Sequence, residues 1–567
     1  MHEKAHFLWH YVFSSEMKKE WLQLSQWYRV DSDESVDDYL SLPPYSSEVV
    51  ESGPRHSHGT EYNPDLENIS VDASDGWSAV KTTNFVSGYA QLKNPNEDMA
   101  ESISYFLNNP DKLRSRAPQK YEFIRNRIMG GIFYLQSIRD DLTFEVLNLH
   151  PDYIYPGKIK QIEVTVNGEA GQSKRVTIDL RLHTTKSTCQ LDKCLEGASS
   201  AFTRIFSQGD TYKDVYFRPV GGRISDHLQA SFTLPETAKN GWWAPEQITI
   251  TDPLGNERYQ RSTDYGWQMF INNPGEDTVA PQYIDESMML ELSDPIAAKI
   301  SLGKRVGTYP EGCIGQADCR EIRTITAQWD VDEDVGMRED FACFSRFANQ
   351  DYSVYSADEY GEFTQQVNGE IDGRCSVQLV TTEYYRSGKY SVAQIVMQDR
   401  ALNRQSERFA KGNSELEASP EKSLPIGANV DTEAPELNIS NCNAPDDSRC
   451  IKVVATPTNP DQPNGETKVT ITYWAKDDKS GLGTVSYKLR NPQGDEYLYY
   501  AYHDNMDTLF FNGDPTAWKE YTTTQTLPVG SAPGKWGVIS MTLLDKAGNK
   551  AEYDFTDTVI FEPIEVK

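Results

Sequence analysis

The sequence predicts a multidomain protein: a mainly α N-terminal portion, residues 1–135, then three all-β sandwich domains at 136–277, 278–431 and 432–567. Three observations carry this expectation. Apolar residues recur at helical spacing in the first residues of the chain. Further on, a D-x-x-x-N pattern returns three times at nearly constant intervals. Around it, short runs alternate apolar and polar residues, as half-buried strands do. With 567 residues the chain has room for three or four domains.

The N-terminal element comes first. HEKAHFLWHYVFSSEMKKEW places Ala5, Leu8, Trp9, Val12 and Phe13 at helical spacing. On such a helix His2 and His6 are four apart and project from one side, so two imidazoles can reach one zinc ion. Glu3 adjoins the first of them and suits a general base that takes a proton from zinc-bound water. His10 lies on the same face and reads as packing or pocket lining, while His56 and His58 read as loop. A third ligand is offered by SGYAQLKNPNEDMAESISYFLNNP, where Asn94 and Pro95 give helix-start chemistry. Glu97 and Glu101 then fall four apart on one face. Glu97 would close a His–His–Glu set with a fourth position for water, and Glu101 would orient a zinc-bound histidine. The plain alternative is an accidental HExxH beside two solvated helical glutamates.

The β units follow. Asp252/Asn256, Asp399/Asn403 and Asp545/Asn549 carry the repeated pattern, their asparagines 403 − 256 = 147 and 549 − 403 = 146 residues apart. Trp329 in WDVDEDVG and Trp474 in WAKDDKSG are 474 − 329 = 145 apart. Similar linkers, DTVAP at Asp277 and DTEAP at Asp431, follow the first two copies. Three copies of one unit account for these periods. VTVNGEAGQSKRVTIDL reads as a hairpin, and Asp and Asn around Gly favour tight turns. Many short strands with polar turns indicate sandwiches. The acidic turns Asp332-Glu333-Asp334 and Asp477-Asp478 have the clustered carboxylates that calcium takes; solvated turns are the alternative reading.

Composition narrows the partners. The net charge of −30 repels nucleic acid and anionic membranes. No apolar run is long enough to span a bilayer, and no signal peptide is visible. The eight cysteines form three close pairs, Cys189/Cys194, Cys313/Cys319 and Cys442/Cys450, leaving Cys343 and Cys375 as a fourth by elimination. An even set of this kind reads as disulfides, hence an extracellular or cell-surface location.

Taken in order, HEKAH, EWLQLSQW, FVSGYAQLKNPNEDMAESISYFLNNPDKL and PQKYEFIRNRI resemble the zinc peptidase family of anthrax lethal factor and its bacterial relatives, which are gluzincins. The resemblance spans most of residues 2–129 and implies a zincin-like fold. It implies His2, His6 and Glu97 as zinc ligands, Glu3 as general base, Glu101 as the carboxylate behind the ligands and Tyr89 as the oxyanion-steadying phenol. The stretch from Asp31 to Trp77 has no counterpart and reads as a polar surface insertion. Such peptidases have a sheet ahead of the HExxH helix, so the expectation is an N-terminally truncated domain whose missing part also held the export signal. The D-x-x-G-N turns and D-T-x-A-P linkers are similar to those of bacterial immunoglobulin-like domains. The expected function is a secreted or surface zinc metalloendopeptidase acting on proteins or peptides, with the β-domains as spacers or targeting modules for an extracellular ligand. The alternative is a non-catalytic adhesion or binding protein with an inactive protease remnant, and a glycan-binding array is a third possibility.

Overall fold

Prolines cut the N-terminal helices short. Pro95, Pro110 and Pro118 each open a helix, because a residue without an N–H is tolerated in the first turn and not beyond it. The result is α3 (Pro95–Asn108), α4 (Pro110–Arg116) and α5 (Pro118–Phe123), preceded by α1 (His2–Phe7) and α2 (Ser15–Ser25). The computed structural model describes residues 2–25, 27–29, 60–61, 71–72, 77–79, 85–87, 89–90, 94–152, 156–183, 197–207, 211–261, 267–299, 316, 319–349, 356–365, 373–409, 422–424, 429–443, 448–503 and 508–561. Of these, 50% lie in strands and 14% in helices.

This corrects the expected fold class. The described chain is predominantly β, and its N-terminal part is a thin layer of short helices instead of a mainly α peptidase portion. That part also contains a three-stranded sheet of Trp27–Arg29, Trp77–Ala79 and Val71–Asp72, and it lends Thr60–Glu61 to the first sandwich. The predicted apolar face is broken as well. After Phe7 the chain makes a π turn over Leu8–Val12, closed by Phe13 N–H donating to the Leu8 carbonyl at 2.9 Å. The wider turn leaves Val12 59% exposed while Phe13 is buried.

The first sandwich is built on the predicted hairpin, Ile159–Asn167 paired with Lys174–Leu182. Alternate residues Ile162, Val164, Val176, Ile178 and Leu180 point inward and pack with Trp243 and Trp267. In the second, the disulfide Cys343–Cys375 (Cα–Cα 5.8 Å) joins strands Cys343–Asn349 and Gly373–Thr382. Trp329 sits opposite Cys375 in register, fully buried, with its indole N–H 3.1 Å from Met397 Sδ. A buried tryptophan beside a bridge between strands is an immunoglobulin-like core arrangement. The third sandwich has one sheet around Thr467–Lys476 and another around Leu482–Arg490 and Gly534–Asp545, with Tyr473, Tyr487, Trp536 and Met541 between them. Two upstream strands complete it: Thr143–Val146 pairs with Gly534–Gly537, and Phe133–Ile138 with Thr556–Phe561. The helical layer is thus stitched to the last sandwich by strands that follow it directly in sequence.

The D-x-x-x-N repeat is one loop made three times. In each, the Asp carboxylate accepts the backbone N–H and the side-chain amide of the Asn four residues on, at 2.8–2.9 Å. Cys442–Cys450 forms a second bridge (Cα–Cα 5.2 Å), and Cys319 is disulfide-bonded. Cys189, Cys194 and Cys313 lie outside the described residues.

One glycine decides whether the second sandwich can close. Strand Ser356–Gln365 pairs with Cys343–Asn349 up to Gly361 and with Gly373–Thr382 from Glu362 onward, crossing between layers at that point. A Cβ on Gly361 would lie 2.1 Å from the Ser376 carbonyl oxygen and 2.7 Å from Val377 Cα. Gly361→Ala is expected to destabilise this sandwich by roughly 1–3 kcal/mol. Faster amide exchange confined to strands 343–349 and 373–382, read by mass spectrometry, would check it.

Candidate metal centre

Two helices supply the centre. On α1, His2 and His6 are one turn apart and half-buried. On α3, the Asn94 side chain caps the helix by accepting the N–H groups of Asn96 (3.1 Å) and Glu97 (3.0 Å), which fixes Glu97 in the first turn. The structure brings His2 Nε2, His6 Nε2 and Glu97 Oε2 together: the nitrogens are 3.1 Å apart, and the oxygen lies 3.0 Å from one and 3.4 Å from the other.

Proton bookkeeping shows what this triangle requires. His6 Nδ1 faces the Asn96 amide oxygen at 3.0 Å, so the neutral ring carries its proton there. His2 Nδ1 is buried and 3.1 Å from Glu101 Oε1, an ion-pair distance at which the two atoms are not aligned as a hydrogen bond. Its proton therefore also belongs on Nδ1. Both Nε2 atoms are then lone-pair acceptors, and Glu97 Oε2 is a third. Three acceptors at such distances repel one another unless a cation lies among them. A tetrahedral zinc with bonds of ~2.0–2.2 Å holds its ligand atoms ~3.3 Å apart, which matches the observed 3.0–3.4 Å.

The surroundings hold these ligands in place. Ser87 Oγ donates to Glu101 Oε2 at 2.7 Å, and the Asn96 amide nitrogen lies 3.2 Å from His10 Nε2. Behind Glu97, Asp98 is fully buried and meets Lys120 Nζ at 2.7 and 2.8 Å, a lysine that is itself only 1% exposed. Asp98 also accepts Ser25 Oγ at 3.0 Å and the Trp27 indole N–H at 3.1 Å. Burial depresses the Lys120 ammonium and the Asp98 charge opposes that shift. The Lys120 ammonium lies 3.9 Å from the Phe85 ring centroid. This hub ties α2, α3, α5 and the first strand into one layer. Sequence reasoning singled out Glu97 and Glu101 and passed over Asp98, Lys120, Ser87 and Asn96. Only the polar, first-turn position of Asp98 inside an otherwise apolar helix face hinted at its role.

The remaining expected residues border open space. Tyr89 is 45% exposed, its ring centroid 6.0 Å from that of His2. Burial first, and then the Glu97 charge and hydrogen bond, raise its phenol above the usual range, so it stays protonated. Glu3 is exposed on α1, and its charge is also felt at Tyr89. Ser87, Tyr89 and Glu101 continue into a cleft of about 930 Å³ walled by Tyr259 of the first sandwich and Tyr497 of the third. The helical layer docks on that third sandwich: Asn109 donates to the Gly494 carbonyl at 2.8 Å, and Arg116 pairs with Asp495 at 2.8 Å. His56 and His58 lie outside the described residues, as does nearly all of the expected insertion. Of the acidic turns, Glu333 and Asp477 are buried while Asp332, Asp334 and Asp478 are exposed.

No protein-family model and no curated protein matches the chain. Among solved structures, it overlaps a leucine-rich repeat protein from Bacteroides thetaiotaomicron at 10% identity, over 40% of this chain and 23% of that one, with a TM-score of 0.11. A marsupial T cell receptor overlaps at 9% identity, 43% and 99% coverage and a TM-score of 0.16. The BSP domain of a biofilm associated protein overlaps at 8% identity, 73% and 82% coverage and a TM-score of 0.10. These scores define no shared fold. The expected membership of the lethal-factor-like peptidase family is accordingly corrected: the chain is half strand, and no peptidase family matches it.

The buried pair makes a test. Lys120→Met leaves the Asp98 charge buried without a partner and is expected to cost about 3–5 kcal/mol. Adding Asp98→Asn to that variant removes the stranded charge and should restore part of the loss, measured by denaturant unfolding followed through Trp21 and Trp27.

Proposed function

We propose that this protein works outside the cell as a β-sandwich binding protein whose helical layer carries a zinc site of hydrolytic type. The observation that carries the reading is the triangle of His2 Nε2, His6 Nε2 and Glu97 Oε2, with His6 Nδ1 turned toward Asn96 and His2 Nδ1 toward Glu101. The disulfides Cys343–Cys375 and Cys442–Cys450 support an oxidising compartment. Among the described residues no helix is long and apolar enough to cross a membrane.

The chemistry this arrangement favours is peptide-bond hydrolysis. Zinc, when bound, supplies a Lewis acid and lowers the pKa of water to roughly 7. The chain's own residues do the rest. Glu3, exposed beside His2, takes a proton from the attacking water and returns it to the leaving nitrogen. Tyr89, kept protonated, donates to the oxygen on which negative charge develops. Glu101, held by Ser87, keeps the His2 proton on Nδ1 so that Nε2 stays a lone pair. The tyrosine-walled cleft gives an extended peptide a place to lie between the layer and the sandwiches.

A non-catalytic reading has its own support, because the same three residues clamp α1 onto α3 and the sandwiches hold most of the described residues. There the metal is a staple and the β-domains bind a surface ligand. Metal analysis and peptide-library cleavage separate the readings. The catalytic reading expects about one zinc per chain, lost in Glu97→Ala, and cleavage that falls at least 100-fold in Glu3→Gln with zinc retained. Zinc without cleavage in the parent chain leaves the staple; no zinc in the parent chain ends both.

A further inference from the structure

The junctions between sandwiches gather acidic side chains into two clusters. At the first, side-chain oxygens of Asp277, Glu333 and Asp399 lie within 4.8 Å of one another. At the second, those of Asp431, Asp477 and Asp478 do the same. All but Asp478 are buried, with Asp277 and Asp477 each 4% exposed and Asp399 and Asp431 at 0%. Neutral donors satisfy Asp399 and Asp431 at both oxygens, but Asp277 and Asp477 at one oxygen each. Asp277 Oδ1 accepts Val279 N–H at 2.8 Å, and Asp477 Oδ2 accepts Gly481 N–H at 2.7 Å. The other oxygens, Asp277 Oδ2 and Asp477 Oδ1, are buried and have no hydrogen-bond partner. Among the described residues, no lysine or arginine pairs with any of the five aspartates.

We propose that each junction binds one calcium ion, the first through Asp277, Glu333 and Asp399 and the second through Asp431, Asp477 and Asp478. An unpaired buried carboxylate oxygen is costly, and more so with further acids packed against it, so each cluster has a place for a cation. The donor set is all oxygen, which suits a hard cation that accepts irregular coordination and carbonyl ligands, and suits zinc poorly. Burial, with repulsion from Asp277 and Glu333, pushes Asp399 up to about 8, and burial likewise raises Asp477 to about 6.

Position gives the sites a purpose. Asp277 and Asp431 begin the two linkers, and Asp399 opens the D-x-x-x-N loop of the sandwich that follows the first. Asn403 donates to the Asp277 and Val279 carbonyls at 3.2 Å, and Asn549 donates to the Asp431 carbonyl at 3.2 Å. The preceding sandwich reaches each loop as well: Thr211 Oγ1 donates to Asn403 Oδ1 at 3.2 Å, and Arg386 donates to Asn549 Oδ1 at 3.0 Å. A calcium ion in each cluster would lock linker and loop together and stiffen the array. The first D-x-x-x-N loop, at Asp252, has no three-acid group among the described residues, so two ions are expected and not three.

The test uses the full chain, stripped of metal on a chelating resin, reloaded with one equivalent of zinc and titrated calorimetrically with calcium chloride. Two calcium ions should bind, and thermal unfolding should shift up by about 5–10 °C once calcium is 100-fold above Kd. Asp277→Asn should lose one ion and Asp477→Asn the other. Because each removes a repelling charge, the calcium-free variants should melt no lower than the calcium-free parent. His2→Ala should still bind two calcium ions, which keeps this outcome separate from the zinc reading. Absence of calcium binding at millimolar concentration in the parent would overturn the proposal, and so would two ions retained in either variant. A parent that gains the same stability from acidification alone, with no calcium uptake, would show that a shared proton fills these clusters.

Discussion

A buried carboxylate has to meet hydrogen-bond donors or positive charge, and that constraint recurs through the described parts of this acidic chain. Asp98 meets Lys120 in the only way that leaves both desolvated groups satisfied, with indole and hydroxyl donors filling the remaining lone-pair directions. One residue earlier, Glu97 turns the opposite way and faces two imidazole lone pairs instead of a cationic side chain. At the sandwich junctions, acids converge and meet backbone N–H groups and asparagine amides, none of them charged. The chain thus supplies a lysine to Asp98 and no such cationic side chain to the five junction aspartates among the described residues.

The placement of the Asp98 hub explains why the centre is ordered at all. Helices of six to fourteen residues are marginal on their own, and their stability comes from packing. Asp98 fixes the rotation of α3 about its axis, which sets Glu97 and Glu101 toward α1 while Met99, Ile103 and Phe106 face the core. The layer then rests on the third sandwich through a glycine turn. A Cβ at Gly494, whose φ is +86°, would fall 2.4 Å from the Lys112 backbone nitrogen. That close approach closes one wall of the tyrosine-lined cleft, so the sandwich shapes the space next to His2, His6 and Glu97 as well as supporting it.

The expected helical domain failed for a reason visible in its own residues. Helical spacing near His2 and in the stretch after Asn94 is real, yet three prolines in 24 residues forbid a long helix, and the π turn at Leu8–Val12 ends the first one early. Short helices cannot enclose a core by themselves, so strands from far along the chain complete the layer. The resemblance to a peptidase family had two short motifs at its core among four ordered stretches, and motifs of that length describe a ligand set better than they describe a fold.

Local spacing is what the sequence by itself determined: the helix start at Asn94, His2 and His6 on one side of a turn, the alternating strands, and the Asp–Asn loop at three places. Each depends on residues within a few positions of one another, where backbone geometry dictates direction. Tertiary structure alone decided the rest. It set Glu97 against histidines some ninety residues away, paired Asp98 with Lys120, joined strands 133–146 to the C-terminal sandwich and drew Glu333 and Asp477 out of solvent. Burial and charge pairing are properties of neighbours in space, and composition and spacing along the chain do not say which carboxylates will lose their water.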